Sequence, residues 1–255
     1  MITRLEETHR AAHLFGDWQE TIIWSCLQKV MGAIYADDME NPQSAMALLG
    51  DFCFFAGRPD KELVLYKPDI CNSDFIIMVP QNKNWADLIV KSYGDKAKAV
   101  TRYAIKKEKN IFDRQLLQAA AASLNPEYDM QLIDKKCFEL CKANEWSRDL
   151  VSQFRDYEMY SRLGIGVVIF MDGKLVSGAS AYARYREGIE IEIDTKEEYR
   201  RRGLAYACGA RLILECLDRG LYPSWDAQNR GSVALAEKLG YHFEQEYAAY
   251  EIWGY

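Results

Sequence analysis

Hydrophobic and polar positions divide the chain into strand–helix units, and the sharpest pattern runs through residues 188–217. Ile189, Ile191 and Ile193 alternate there with Glu190, Glu192 and Asp194, the period of two expected of a strand. A polar turn follows. An apolar run over 204–217, stopped by Arg219-Gly220 with Pro223 just beyond, predicts a helix. Upstream, strands at 167–170 and 175–182 flank Asp172-Gly173, a favoured hairpin dipeptide, and lead directly into the alternating strand. Downstream, a strand at 222–227 precedes a helix opening near Asn229.

The N-terminal half reads less sharply. Asp17-Trp18-Gln19-Glu20 has the form of a capping box, opening a helix whose face carries Ile22, Ile23, Cys26, Leu27, Val30 and Ile34. Asn41-Pro42 predicts a short helix ending at Gly50. Strand-like runs follow at 52–56, 63–66 and 75–79, then a helix over 85–92 and a strand over 100–105. An offset of 147 residues sets Gln81, Asn82, Leu88, Lys91, Tyr103 and Ile105 on Gln228, Asn229, Leu235, Lys238, Tyr250 and Ile252. The N-terminal half is then either a decayed copy of the C-terminal half or an unrelated strand–helix–strand piece. A helix over 115–123 and the Asn125-Pro126 punctuation put the domain boundary between an N-terminal domain, 1–124, and a second domain, 125–255.

Composition narrows the function classes. With 255 residues, 49% of them apolar and 27% charged, the chain has the balance of a soluble globular protein. A net charge of -6 argues against a nucleic-acid partner, whose binders are usually basic. No apolar run is long enough to predict a membrane span. Seven cysteines without paired spacing fit a reducing, cytoplasmic interior. His9 and His13 stand four apart, but Arg10 occupies the place of a catalytic Glu; Cys137 and Cys141 have no second pair nearby. No metal is expected.

The polar turn carries the candidate chemistry. Arg200-Arg201-Arg202-Gly203-Leu204-Ala205 joins a strand to a helix N-terminus, where backbone N–H groups and the helix dipole favour an anion. Gly203 lets the backbone approach a phosphate closely. This R-x-x-G-x-A turn resembles motif A of the GNAT acetyltransferase superfamily, and 228–241 resembles its second cofactor element, N-x-x-S/A-x-x-L-x-x-K-x-G-F/Y. The wording W-D-A-Q-N and the long N-terminal extension resemble the subgroup that includes zwittermicin A resistance proteins.

The resemblance implies an α/β (α+β) fold with a mixed, mostly antiparallel sheet flanked by helices, preceded by a smaller, possibly degenerate GNAT-like domain on the acceptor side. It implies acetyl-coenzyme A as co-substrate and a small-molecule amine as acceptor. The backbone of residues 201–205 would wrap the pyrophosphate, with Arg200, Arg201 and Arg202 adding charge. Ile193 and Thr195 would pair with the pantetheine arm, the Ile193 N–H serving the oxyanion. Asn229 and Ser232 would reach the cofactor, although Asn229 is equally a helix cap. Glu190, then Glu192, are the candidate bases; the same carboxylates could instead line a cationic acceptor pocket or face water. Ala236 departs from the pattern, because many members carry a proton-donating Tyr there. Tyr241, Tyr247 and Tyr250 are the candidates to replace it. The rival from another class is a non-catalytic acyl-CoA-binding or scaffolding protein. A protein-directed acetyltransferase is disfavoured by the subgroup resemblance.

Overall fold

The computed structural model describes residues 1–71 and 73–255, which form two compact units. The first comprises Met1–Arg102 with Glu246–Tyr255, and the second Tyr103–Gln245. The division at 102/103 places the expected 124/125 boundary inside the second unit, and the chain's last ten residues belong with the first.

In the first unit, β1 (Thr3–Arg4), α1 (Ala12–Phe15) and α2 (Thr21–Leu27) precede an antiparallel run of β2 (Ala33–Ala36), β3 (Ser44–Leu49) and β4 (Phe52–Gly57). Then come α3 (Lys61–Leu65), β5 (Phe75–Pro80), α4 (Lys83–Tyr93) and β6 (Ala97–Ile105). Strand β5 lies parallel to β4 and is paired on its other edge by the end of β13 (Phe243–Trp253). The strand order is β1-β2-β3-β4-β5-β13-β6. One face of this sheet, with Tyr35, Met46, Leu48, Phe55, Ile76, Met78 and Ile252, packs on Leu63 and Val64 of α3 and Trp85 and Ile89 of α4.

Three expectations fail in this unit, each for a local reason. The capping box does not form: α2 begins three residues later, with Glu20 rather than Asp17 at its N-cap and no side-chain bond there. That helix ends at Leu27 because Lys29 (φ 58°) and Gly32 (φ 75°) reverse the chain; Ile34 lies on β2 instead. The helix expected before Gly50 is β3, every residue of which is buried. A continuous apolar run such as Ser44–Leu49 has no periodicity to separate strand from helix, and its neighbours on both edges decide. Conversely, the strand expected at 63–66 is the short helix α3, nucleated by the Asp60 carboxylate accepting the Glu62 N–H.

The second unit carries α5 (Arg114–Ala122), β7 (Tyr128–Leu132), α6 (Lys135–Ala143) and α7 (Tyr157–Leu163), followed by β8 (Gly166–Met171), β9 (Lys174–Tyr185) and β10 (Gly188–Thr195). The β8–β9 turn has Asp172 at φ 49° and Gly173 at φ 72°, the two positive values that a tight hairpin turn requires. Helix α8 (Leu204–Asp218), β11 (Tyr222–Ser224), β12 (Asp226–Ala227) and α9 (Arg230–Lys238) follow. The sheet order is β11-β10-β9-β8-β7, antiparallel except for β10 with β11. Helix α8 covers β8–β10 and is itself covered by α5, whose Leu117 and Ala120 are buried and whose Arg114 pairs with Asp218. Gly209 permits this packing: a Cβ there would stand 2.9 Å from Leu239 Cδ1 and 3.2 Å from Ile193 Cδ1.

The two halves repeat one scheme of parallel strand pair, Gln-Asn, helix and long final strand. Asn82 and Asn229, set together by the 147-residue offset, are both N-caps. With two sheets flanked by helices, this is the α/β arrangement that the resemblance implies.

Candidate functional site

The site is built where one strand leaves its neighbour. Strands β10 and β11 pair only over Gly188↔Tyr222, Ile189↔Pro223 and Glu190↔Ser224. At Trp225 the second strand turns away, and Asp226–Ala227 pair with β6 at Ala104 and Tyr103. A bulge marks the same level: Glu190 faces Ala183 and Ile191 faces Ala181, leaving Tyr182 of β9 as the extra residue. Beyond this fork β10 runs on to Thr195 with β9 on one edge only, among the described residues.

Hydrogen-bond alternation identifies the groups that face the opening. The Lys196 N–H donates to the Val176 carbonyl at 3.0 Å. Residues 194 and 192 therefore point their backbone groups to β9 as well, and 195, 193 and 191 point theirs to the open edge. Thr195 is already engaged there. Its N–H donates to the Asp194 carboxylate at 2.7 Å, and its carbonyl accepts Arg200 Nε at 3.2 Å. Ile193 is the residue whose backbone amide stays available for an incoming extended chain.

The turn lies at the end of the same strand. Arg201 (φ 62°) and Gly203 (φ 81°) both adopt left-handed backbone, and Gly203 is the N-cap of α8 without any side-chain cap. The first intrahelical bond is Ala207 N–H to Gly203 O at 3.0 Å, so the N–H groups of Leu204, Ala205 and Tyr206 precede the ladder. A Cβ at Gly203 would meet nothing within 4 Å, so the turn opens outward. Uncapped N–H groups, an open turn and the helix dipole suit a phosphate.

The arginines differ in employment. Arg200 is tied to Thr195 O; Arg202 donates to Glu198 O at 3.0 Å, contacts the Tyr128 hydroxyl at 3.4 Å and stacks on Tyr199. Arg201 is exposed and, among the described residues, makes no hydrogen bond or ion pair. Asn229 caps α9 by accepting the Ser232 N–H at 3.0 Å, and Ser232 Oγ accepts Trp225 Nε1, also at 3.0 Å. Both side chains thus have structural employment at the mouth of the fork.

Of the carboxylates, Glu190 is buried at the apex of the fork, while Glu192 and Asp194 are partly exposed. Burial raises the Asp194 carboxyl above its usual value, with the Thr195 N–H and Arg200 opposing. Burial likewise pushes the phenols of Tyr185 and Tyr222 up to about 12, the Glu190 carboxylate adding to the shift. Tyr241 does not suit the catalytic role expected of it. It is fully enclosed, its hydroxyl donates to Pro223 O at 2.6 Å, and burial holds its pKa well above the usual phenol value. Ala236 is completely buried, so packing fills the position where a donor Tyr was expected.

Sequence reasoning passed over the pair Tyr206 and Lys238: the Lys238 ammonium stands 4.2 Å from the centre of the Tyr206 ring. Their signal was present, since Lys238 is a letter of the second motif and Tyr206 stands three residues after Gly203.

The sequence model of the GNAT acetyltransferase family matches residues 12–250. The chain belongs to that family. It is 28% identical over 258 residues to the uncharacterized N-acetyltransferase YdfB of Bacillus subtilis, covering 90% of this chain and 89% of that one. The crystal structure of a GCN5-related N-acetyltransferase-like protein from Streptococcus suis is similar throughout, at 53% identity and TM-score 0.91 over 97% and 98% of the two chains. A tandem GNAT protein from the clavulanic acid biosynthesis pathway is 9% identical with TM-score 0.54, covering all of this chain and 98% of its own, a likeness of fold.

Among the described residues, the first unit lacks the fork. Ile77, which the 147-residue offset sets on Ser224, is where pairing with β4 begins, and it continues through Phe55↔Pro80. Gln81 N–H then donates to Phe55 O at 3.1 Å, and its Oε1 accepts the Gly57 N–H at 3.1 Å, so this strand pair is closed to its end. The helix after β4 also begins with Asp60 and Glu62, two carboxylates where an anion would have to sit.

Proposed function

We propose that the protein transfers acetyl from acetyl-coenzyme A to the amine of a small molecule, by direct attack within a ternary complex in the second unit. The observation that carries this reading is the fork: an available Ile193 backbone edge on the strand that ends in the uncapped, Gly203-led start of α8. Acetyl-coenzyme A supplies an activated thioester, and the residues present fit its parts. The open edge of β10 suits the amide-bearing pantetheine arm as an added strand. The Leu204–Tyr206 amides and Arg201 suit the pyrophosphate.

The chain's own groups then divide the work. The Ile193 N–H stabilises the oxygen that becomes negative as the amine nitrogen bonds to the acetyl carbon. Glu190 accepts the amine proton, directly or through water, with Glu192 as the alternative base. The carbon–sulfur bond breaks and the thiolate leaves, taking its proton from solvent; neither Ala236 nor Tyr241 supplies it. Asn229 and Ser232 frame the mouth. The first unit, whose own strand pair is closed, we assign to acceptor choice. No described helix is long and apolar enough to cross a membrane, and all seven cysteines are free and buried; a cytoplasmic location is our reading of both.

A thiol-release assay with acetyl-coenzyme A over a panel of amines tests the proposal. The resemblance to the subgroup that includes zwittermicin A resistance proteins makes amine-bearing antibiotics the first members of that panel. Turnover on a small amine supports the reading. Tight cofactor binding with no turnover on any amine, peptides included, supports the second reading of a non-catalytic acyl-CoA-binding protein, which the buried Ala236 favours.

A further inference from the structure

We propose that Lys238 recognises the 3′-phosphate of coenzyme A, making the protein selective for the 3′-phosphorylated nucleotide; this rests on the cofactor reading above. Coenzyme A presents two anions in different places, the pyrophosphate within its chain and a phosphate monoester on the ribose. The amides of α8's first turn offer a site for one of them. A second, separate cation is needed for the other.

The structure leaves few groups for that role. Arg200 and Arg202 are held by Thr195 O and Glu198 O, and Arg201 is part of the turn itself. Lys238 comes from a different element, the last turn of α9, and has no carboxylate or carbonyl partner among the described residues; its ammonium lies over the Tyr206 ring at 4.2 Å. Tyr206 is the third residue of α8, and helical side chains lean toward the N-terminus, so the ring covers the first turn and holds the ammonium beside it. The cation is thus beside the phosphate turn, yet off the axis of α8. A monoester carries close to two charges near neutral pH, which makes it the stronger partner for a compact ammonium. Tyr206 limits the rotamers of a flexible side chain, and so pre-orders it for binding.

The test is calorimetric titration of wild type, Lys238→Ala, Lys238→Arg and Tyr206→Leu with coenzyme A and with 3′-dephospho-coenzyme A. Wild type is expected to prefer coenzyme A by about tenfold, the scale of one charge-assisted contact. Lys238→Ala should bring that ratio close to one without weakening the dephospho ligand, and Lys238→Arg should keep most of it. Tyr206→Leu should reduce it in part. Equal loss for both ligands in Lys238→Ala would put the ammonium elsewhere and overturn the proposal, as would an unchanged ratio. Failure of wild type to bind either ligand would instead remove the cofactor reading on which the proposal stands.

Discussion

Placing a carboxylate at position 203 sets stability and binding against each other. Gly203 sits at φ 81°, ψ 0°, and a Cβ there meets nothing within 4 Å, so Gly203→Asp causes no clash. Left-handed backbone costs an L residue about 1–2 kcal/mol, least for Asn and Asp. A negative charge at the start of α8 returns about 0.3–1 kcal/mol through the dipole. The free protein should therefore melt within about 2–4 °C of wild type, the shift that 1 kcal/mol produces in a chain this long. Binding responds differently. Two unit charges about 4 Å apart repel by about 1 kcal/mol in water and about 4 kcal/mol at an effective dielectric of 20. With two pyrophosphate charges, even the aqueous limit gives about 2 kcal/mol, a loss of about 30-fold in affinity. Calorimetric titration with acetyl-coenzyme A measures it, with Gly203→Ala as the control that shares the backbone strain but not the charge. Gly203→Asp binding as tightly as Gly203→Ala would refute the placement of the pyrophosphate.

Other expectations follow from the packing. A fragment of residues 125–255 lacks α5, which covers α8, and the β6 residues that pair with β12; it should show no cooperative urea transition, and a sharp transition would contradict the unit boundaries. Tyr241→Phe removes the buried bond to Pro223 O and should lower stability by about 1–3 kcal/mol while leaving thiol release unchanged; a selective loss of turnover would restore Tyr241 to the mechanism. Asp194 is raised above its ordinary pKa by burial, so the folded state binds its proton more tightly, and stability falls as pH rises from the unfolded value toward the folded one. Asp194→Asn should therefore stabilise the protein at neutral pH, the advantage shrinking as pH falls through that window. An advantage that grew on acidification would reverse the sign.

The parts legible in the sequence share a physical cause. Strand β10 and helix α8 carry unambiguous periods, and the Asp172-Gly173 turn specifies its own backbone. The run at Ser44–Leu49 was illegible because full burial erases alternation, and the Asp17–Glu20 box because a four-residue pattern cannot reveal where the helix will start. In the site, the order of motifs located the turn and the fork strand. It could not tell which groups were already occupied: Arg200, Arg202 and Thr195 bond to one another's surroundings, and Tyr241 to Pro223, through contacts that depend on the folded turn. Closure of the first unit was not legible, because the Gln81 bonds that seal it form only once β4 and β5 are paired in the folded sheet.

The most direct measurement is calorimetric titration of the intact chain with acetyl-coenzyme A. One open fork and one closed strand pair give an expected stoichiometry of one per chain. No binding would contradict the assignment of the Arg200–Ala205 turn, and two equivalents per chain would contradict the closure of the first unit.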